Sequence, residues 1–517
     1  MSAPHFPEKM LGKRIHFIGA KGTGMTAMAE ILAAKGAILT GSDVPDIFYT
    51  DAILKSIGMN VHESFDALHV SSDIDIVIFS DAYNPVSNPE MAEATRKGLP
   101  MFSFAQALGA LSRVSDSSGI AGVHGKTTTT AMAGSILASL RSPVTILTGS
   151  AVSSFSDRCT LILGDKYLVA ETDEYKRHFM NFSPHRILLT SVESDHQDFY
   201  PTYDSIRQAF CDFVMSLPAG GLLIYCADDP GASEVANLAM SKRDDLRYAP
   251  YGFTAGGPWR IESIATSEGE SSFSIAACQQ VFKLHVPGKH LVLDAVGALA
   301  LAMDIAGRAP ESIYRRDDDR AHVFSDKQWL QANLALAQFR GSRRRSEVIG
   351  EASDVLIMDD YAHHPTALKA TIAGIKAFWP SRRLVVDFMS HTYSRTIALM
   401  DDFAASLDEA DCLILHGIYA SAREAPVEGV SGRTLFEKVK ARRQDLLDVT
   451  DTAETAPVST GDDRGFLLYV EDHKDAASRA YSLIRANDLF ITMGAGDNWK
   501  LGKTIFRQLK EKEENHA

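Results

Sequence analysis

The chain has 517 residues, more than one hydrophobic core ordinarily supports, so a three-domain organisation is expected. Hydrophobic residues at 45% and charged residues at 23% exclude a disordered or fibrous chain, and the formal charge of -14 argues against a broad nucleic-acid or anionic-membrane surface. Any phosphate group bound by so acidic a chain must meet local positive features. Cys159, Cys211, Cys226, Cys278 and Cys412 show no CxxC spacing and no dense disulfide framework, as expected of a reducing cytoplasm. No segment offers about 18 apolar residues in a row, so no membrane span is expected.

The chain opens as a strand, a glycine turn and a helix, in RIHFIGA, KGTG and MTAMAEILAAKG. The strands AILTGSD and DIDIVIFSDA follow, and this alternation of strands and helices implies a parallel sheet. The text turns polar in RVSDSS, and a second series begins at GIAGVHGKTTTTAMAGSILASL, so the first domain is expected over residues 1–113 and a central, largest domain over 114–336. Its further strands are YLVAE, RILLTSV and GGLLIYC, with TSEGESSFSIAACQQVFKLHV as hairpin material beside the sheet. A third α/β domain is expected over 337–517, with the strands VLIMDDYA, RRLVVDFMS, DCLILHG and DLFITMGAG and a charged, solvated tail, KEKEENHA. Open parallel sheets bind ligands beyond the carboxyl ends of their strands, so the polar tails of these strands are where chemistry is expected.

Gly122-Val123-His124-Gly125-Lys126-Thr127 follows an apolar strand and opens a helix. Glycines let backbone N–H groups approach phosphate oxygens, the helix start adds a positive dipole end, Lys126 adds charge, and the Thr127 hydroxyl suits magnesium, with Thr128 next in line. Ile120 stands where a standard phosphate loop has its first glycine, so a plain Gly-Lys turn capping a helix is the alternative. Acidic residues and a histidine at strand ends, Glu171-Thr172-Asp173-Glu174 and Glu193-Ser194-Asp195-His196-Gln197-Asp198, suit a magnesium site. Taken alone, they are equally readable as a capping histidine and solvated acids. The first loop, Gly19-Ala20-Lys21-Gly22-Thr23-Gly24, is spaced differently from a dinucleotide fingerprint, although Asp43 lies at the distance expected for a ribose contact.

Taken in order, these segments resemble the motifs of the Mur ligase family. Gly122 to Thr127 is similar to its G-T-H-G-K-T, Glu171 to Glu174 to its E-A-D-E, and Glu193 to Asp198 to its E-x-D-H-x-D. Pro287-Gly288-Lys289-His290 resembles P-G-x-H-N-x-x-N, with Leu291 and Asp294 at the two asparagine places. Phe339-Arg340-Gly341 with Arg344-Arg345, and Asp359-Asp360-Tyr361-Ala362-His363-His364-Pro365-Thr366, match F-x-G-x-x-R-R and D-D-Y-A-H-H-P-T. Ser390-His391-Thr392-Tyr393-Ser394-Arg395-Thr396 resembles P-H-[RT]-Y-S-R-T, with Met389 and Ser390 replacing glutamine and proline. Tyr419-Ala420, the Glu424 to Pro426 spacing and Met493 to Asp497 resemble the alanine-adding branch of the family.

The resemblance implies a Rossmann-like N-terminal domain, a central P-loop ATPase-like α/β domain and a Rossmann-like C-terminal domain. It implies ATP and magnesium as cofactors, UDP-N-acetylmuramate and L-alanine as small-molecule substrates, and a monomer or homodimer. Lys126, Glu171, His196, His363 and Arg395 would be catalytic, with Thr127, Glu171 and His196 as metal ligands. Gly122, His124, Gly125, Lys126, Thr127, Thr128, His290, Asp294, Arg344 and Asp360 would meet the nucleotide. Gly19, Gly22, Thr23, Gly24, Ser42, Asp43, Ser80, Glu174 and His391 would meet the other substrates, and Asp81 would help complete the UDP site. The expected reaction is attack of the lactyl carboxylate on the γ-phosphate, then displacement of phosphate by the amine of L-alanine. A ligase that adds a preformed tripeptide to the same nucleotide, suggested by Tyr175, and a non-catalytic UDP-sugar-binding relative, suggested by Leu291, Asp294, Met389 and Ser390, are the alternatives.

Overall fold

The first sheet is built from β1 (Arg14–Ile18), β2 (Ile38–Ser42), β3 (Asn60–His62), β4 (Ile76–Phe79) and β5 (Met101–Ser103). Its order is β3-β2-β1-β4-β5 and every pair is parallel. Ile15 to Ile18, apolar except for His16, is buried on both faces, the pattern of a central parallel strand. The computed structural model describes residues 6–306, 324–420, 427–451 and 464–515. Glu424, Pro426 and the last two residues of the charged tail lie outside them.

The helix Phe104–Arg113 starts with a capping box between Ser103 and Gln106. The central sheet follows with β6 (Asp116–Ala121), β7 (Val144–Val152), β8 (Arg158–Ile162), β9 (Tyr167–Glu171), β10 (Arg186–Leu189), β11 (Leu222–Cys226) and β12 (Arg247–Tyr251), in the order β12-β11-β10-β6-β9-β7-β8. Only β7 and β8 pair antiparallel. Strand β6 begins inside the polar stretch RVSDSS. Ser117 and Ser118 are buried in β6, and Ser117 Oγ lies 2.6 Å from the Ser112 carbonyl and 3.1 Å from the Ser183 carbonyl, which satisfies a hydroxyl inside the core.

The hairpin material forms a three-stranded sheet of β13 (Ile261–Ser267), β14 (Glu270–Ile275) and β15 (Val281–Leu284). The last sheet holds β16 (Glu347–Ala352), β17 (Val355–Asp360), β18 (Arg383–Phe388), β19 (Cys412–Leu415), β20 (Leu447–Asp448), β21 (Phe466–Tyr469) and β22 (Asp488–Met493), in the order β16-β17-β22-β18-β19-β21-β20. Strands β17, β18, β19 and β22 are buried throughout apart from Arg383 at the start of β18, with one apolar cluster on each sheet face.

The described residues belong to two compact units. One comprises Met1–Ile264, Phe273–Phe282 and Leu293–Phe339, and therefore holds both the first and the central sheets. The other comprises Ala265–Ser272, Lys283–Val292 and Arg340–Ala517. No helix among the described residues is long and apolar enough to cross a membrane.

Candidate active site

Strand β6 lies between β10 and β9, so the loops leaving the carboxyl ends of these three strands are neighbours. The loop after β6 is Gly122 to Gly125, and the helix Lys126–Ser139 begins at once. Gly122 has φ 143° and Gly125 φ 78°, conformations that favour glycine. A Cβ on Gly122 would lie 2.0 Å from Thr190 Oγ1, and one on Gly125 would lie 2.5 Å from Asp294 Oδ1. The two glycines therefore serve both the turn and its close packing.

Lys126 Nζ donates to Glu174 Oε2 at 2.8 Å and to the Gly122 carbonyl. Thr127 Oγ1 donates to Glu171 Oε2 at 2.8 Å, and the same oxygen accepts from Gly149 N at 2.7 Å. Thr128 is buried in the first turn, and Thr129 Oγ1 donates to Asp294 Oδ1 at 3.0 Å. His124 donates its backbone N–H to Ser191 Oγ at 2.9 Å, and its ring pairs with Glu193. His196, at φ 54°, brings Nε2 to 3.4 Å from Glu174 Oε1, and the Tyr175 ring lies 4.9 Å from its ring.

Electrostatics follow from this crowding. Burial pulls the Lys126 ammonium down, but Glu174 and Glu171 outweigh it and hold the group above its ordinary value. His196 behaves alike: burial lowers it, and its hydrogen bond to Glu174 with the charge of Asp195 raises it overall. Asp173 is drawn down against burial by His178 and Lys126. His178 also reaches Asp81, at 3.2 Å, so it stands between the tail of β4 and the acidic loop after β9.

In the first sheet, Gly19 follows β1 at φ 81°, and a Cβ there would lie 2.7 Å from the Tyr83 ring. Gly22 precedes the helix Thr23–Ala34, Thr23 Oγ1 is 2.8 Å from Tyr49 OH, and Gly24 sits against Phe104. Asp43 Oδ2 accepts from Lys21 N at 2.6 Å and Oδ1 from Val44 N at 2.8 Å, so this carboxylate holds the loop's own backbone. Lys21 Nζ donates to the carbonyls of Val44 at 3.0 Å and Asp46 at 2.9 Å. Burial and Asp43 push the Tyr83 hydroxyl up to about 12. Ser42 Oγ is 3.2 Å from His69 Nδ1, and Ser80 Oγ accepts from Ala82 N at 3.3 Å.

In the second unit, Arg344 donates from Nε to Asp359 Oδ2 at 3.0 Å and from Nη2 to the Gly494 carbonyl at 2.7 Å. Asp360 accepts from Ser346 N at 2.6 Å and Ala362 N at 2.7 Å. His363 Nδ1 is 2.8 Å from the Tyr361 carbonyl, and its ring is 6.0 Å from that of His391. Arg395, largely buried, has Nη1 at 3.4 Å from His391 Nδ1. The His290 ring packs over Gly288, where a Cβ would lie 2.5 Å from it.

Three family models match the chain in order: the Mur ligase family catalytic domain over residues 14–115, the Mur ligase middle domain over 120–302, and the Mur ligase glutamate ligase domain over 344–496. A UDP-N-acetylmuramate--L-alanine ligase of Treponema pallidum is 45% identical over 505 residues, 98% of each chain. The chain belongs to the Mur ligase family. Among solved structures, a UDP-N-acetylmuramate-alanine ligase of Thermotoga maritima superposes with a TM-score of 0.73 at 23% identity, covering 96% of this chain and 99% of its own. A murein peptide ligase of Psychrobacter arcticus gives 0.62 at 22% identity, with the same coverage.

Within this Mur ligase, Lys126, Thr127, Glu171 and His196 form one continuous set, joined through Glu174 and the glycine loop. Glu174 pairs with Lys126 and His196. Within the second unit, Arg344, Asp360, His363, His391 and Arg395 lie at its strand tails. Sequence reasoning missed the Asp173, His178 and Asp81 chain and the buried pair of Asp387 and His416. Asp81 and His178, like Asp387 and His416, are far apart in sequence and meet only in the fold.

Proposed function

We propose that this Mur ligase joins L-alanine to the lactyl carboxylate of UDP-N-acetylmuramate at the expense of ATP, through an acyl phosphate, in the synthesis of peptidoglycan precursors. One observation carries the reading: the glycine loop, Lys126, Thr127 and the two acidic strand tails converge at the carboxyl end of β6. The 45% identity over 98% of the Treponema pallidum alanine ligase supports the choice of amino acid.

The donor set fits magnesium. Thr127 Oγ1 and Glu171 Oε2, hard oxygens 2.8 Å apart, would hold one ion, and Glu171 with His196 a second. His196 must give up its ring proton to ligate, so metal affinity falls as pH drops. Bound magnesium would neutralise charge on phosphate oxygens. Lys126 supplies a fixed positive charge at the loop, and the N-terminus of its helix points backbone N–H groups at the same place. Gly19 to Gly24, with Ser42, Asp43 and Ser80 at the adjacent tails, would hold the UDP group, while His391 and Arg395 would meet the carboxylate of the amino acid through a guanidinium fork.

The deciding experiment measures phosphate release from ATP with UDP-N-acetylmuramate present or absent, offering L-alanine or the preformed tripeptide. Release that requires both the sugar nucleotide and L-alanine is expected. Release with the tripeptide alone identifies the recycling reaction, and no release with either identifies a non-catalytic relative.

A further inference from the structure

The strand tails of the second unit rest on a buried charged network to which the ligase reading assigns no role. Asp387 is the penultimate residue of β18, and His416 directly follows β19; both side chains are fully buried. His416 Nε2 is 2.6 Å from Asp387 Oδ2, and its Nδ1 is 2.9 Å from the Val470 carbonyl oxygen. Asn498 Nδ2 donates to Asp387 Oδ1 at 2.8 Å and to the Met493 carbonyl at 3.0 Å.

Both ring nitrogens of His416 thus face oxygen acceptors, one a carboxylate and one a carbonyl. A neutral imidazole has a single N–H and must turn a lone pair on one of them, whereas an imidazolium donates to both. A lone pair set against a buried acceptor leaves that acceptor unsatisfied, a costly arrangement in a dry interior.

The tails above this network are interlocked. Tyr419 N donates to the Ser390 carbonyl at 2.9 Å and Thr392 N to the Tyr419 carbonyl at 3.1 Å. A Cβ on Gly496 would lie 2.7 Å from Met389 Cε and 3.0 Å from the Tyr419 ring. Asp387 lies four residues before His391, His416 three before Tyr419, and Asn498 two after Gly496. The network therefore ties the tails of β18, β19 and β22 at their roots.

We propose that His416 is held as an imidazolium in the folded protein and that, paired with Asp387, it is a positioning residue for the strand tails carrying His391, Tyr419 and Gly494 to Gly496. Burial pulls His416 down, but the Asp387 carboxylate and the Val470 carbonyl raise it overall, with a further contribution from Asp472. His473, with its ring 6.2 Å away, is lowered by burial and by His416 despite Asp497, Asp472 and Asp387. Asp497 is itself occupied by Lys500 at 2.9 Å. As pH rises through the folded-state value of His416, one of its two hydrogen bonds is lost and the tails loosen.

The test uses the full chain labelled with 15N-histidine. Two ring N–H correlations for His416 are expected at pH 7 and should be absent from His416→Gln, which assigns them; a single ring N–H at pH 7 would overturn the inference. Asp387→Asn keeps an oxygen for the ring but removes the charge, so the second N–H should vanish at lower pH. Exchange of the Tyr419 and Thr392 amides should then accelerate roughly tenfold or more over wild type, as native hydrogen bonds open locally. Unchanged exchange would refute the positioning role. In the alanine-dependent assay, which alone rests on the ligase reading, KM for L-alanine should rise over the pH window in which the second N–H disappears, with kcat changing less. A flat KM counts against positioning, whereas two N–H correlations in a protein without turnover support this inference and overturn the ligase reading.

Discussion

Thr127 Oγ1 stands 2.8 Å from Glu171 Oε2, and this contact joins the start of the helix Lys126–Ser139 to the tail of β9. Glu171→Gln keeps an oxygen that can accept from Thr127 and Gly149, so the fold should survive while the charge on the proposed metal is lost. Phosphate release is expected to fall about 100-fold or more, with the magnesium requirement moved to higher concentration. Turnover within a few-fold of wild type at the same magnesium concentration would remove Glu171 from the site.

Lys126 is the cation of this cluster, and its removal leaves Glu174 facing only His196. Lys126→Ala should abolish ADP formation while UDP-N-acetylmuramate still binds, measured by calorimetry, because the sugar-nucleotide loop belongs to another sheet. The side chain retains slight exposure, so the stability loss should sit near the lower end of the roughly 3–5 kcal/mol expected when one partner of a buried pair is removed. Urea denaturation of wild type, Lys126→Ala and the double variant with Glu174→Gln separates these effects, and the double variant should recover part of the loss.

Gly122 has no room for a methyl group, because a Cβ would lie 2.0 Å from Thr190 Oγ1, and its φ of 143° is unfavourable to any other residue. Gly122→Ala should weaken ATP binding about tenfold or more through displacement of the loop. Thr190→Ala removes the clashing oxygen but not the backbone strain, so the double variant should recover binding only in part. Full recovery would mean that the clash alone matters.

Much of this was legible because the chemistry is carried by short, ordered segments. The glycine loop, the acidic tails after β9 and β10 and the Asp359 to Thr366 segment could each be placed at a strand end from the apolar run before it. The strands buried on both faces were visible for the same reason. That β6 begins within RVSDSS was hidden, because a buried strand can carry a serine such as Ser117 when its hydroxyl finds carbonyls such as those of Ser112 and Ser183. The contacts of Glu174 with Lys126 and His196 were not legible, because they join an irregular loop to residues 48 and 22 positions away. Nothing in the sequence around Asp387 or His416 signals that they meet, since parallel strands β18 and β19 fix that register through a long crossover.

Asp359 offers a stability test whose sign is set by burial. Desolvation pushes its carboxyl up to about 6 from an ordinary value of 3.8, against the opposing pull of Arg344 and of the Thr492 hydroxyl. Between these two values the folded chain holds a proton on Asp359 that the unfolded chain has released. Stability from this group is therefore greatest in acid, falls as pH rises through the window, and is level above pH 6. Asparagine resembles the protonated carboxyl at every pH, so the stability of wild type relative to Asp359→Asn should decline from pH 4 to pH 6. The total change should be up to about 3 kcal/mol, because a proton held across this window is worth about 1.4 kcal/mol per pH step of one. Urea denaturation of both proteins at pH 4, 5, 6 and 7 measures it. A difference that grows with pH would mean that the Arg344 ion pair at 3.0 Å outweighs burial, and Asp359 would then be held as a carboxylate beneath the Asp360 segment.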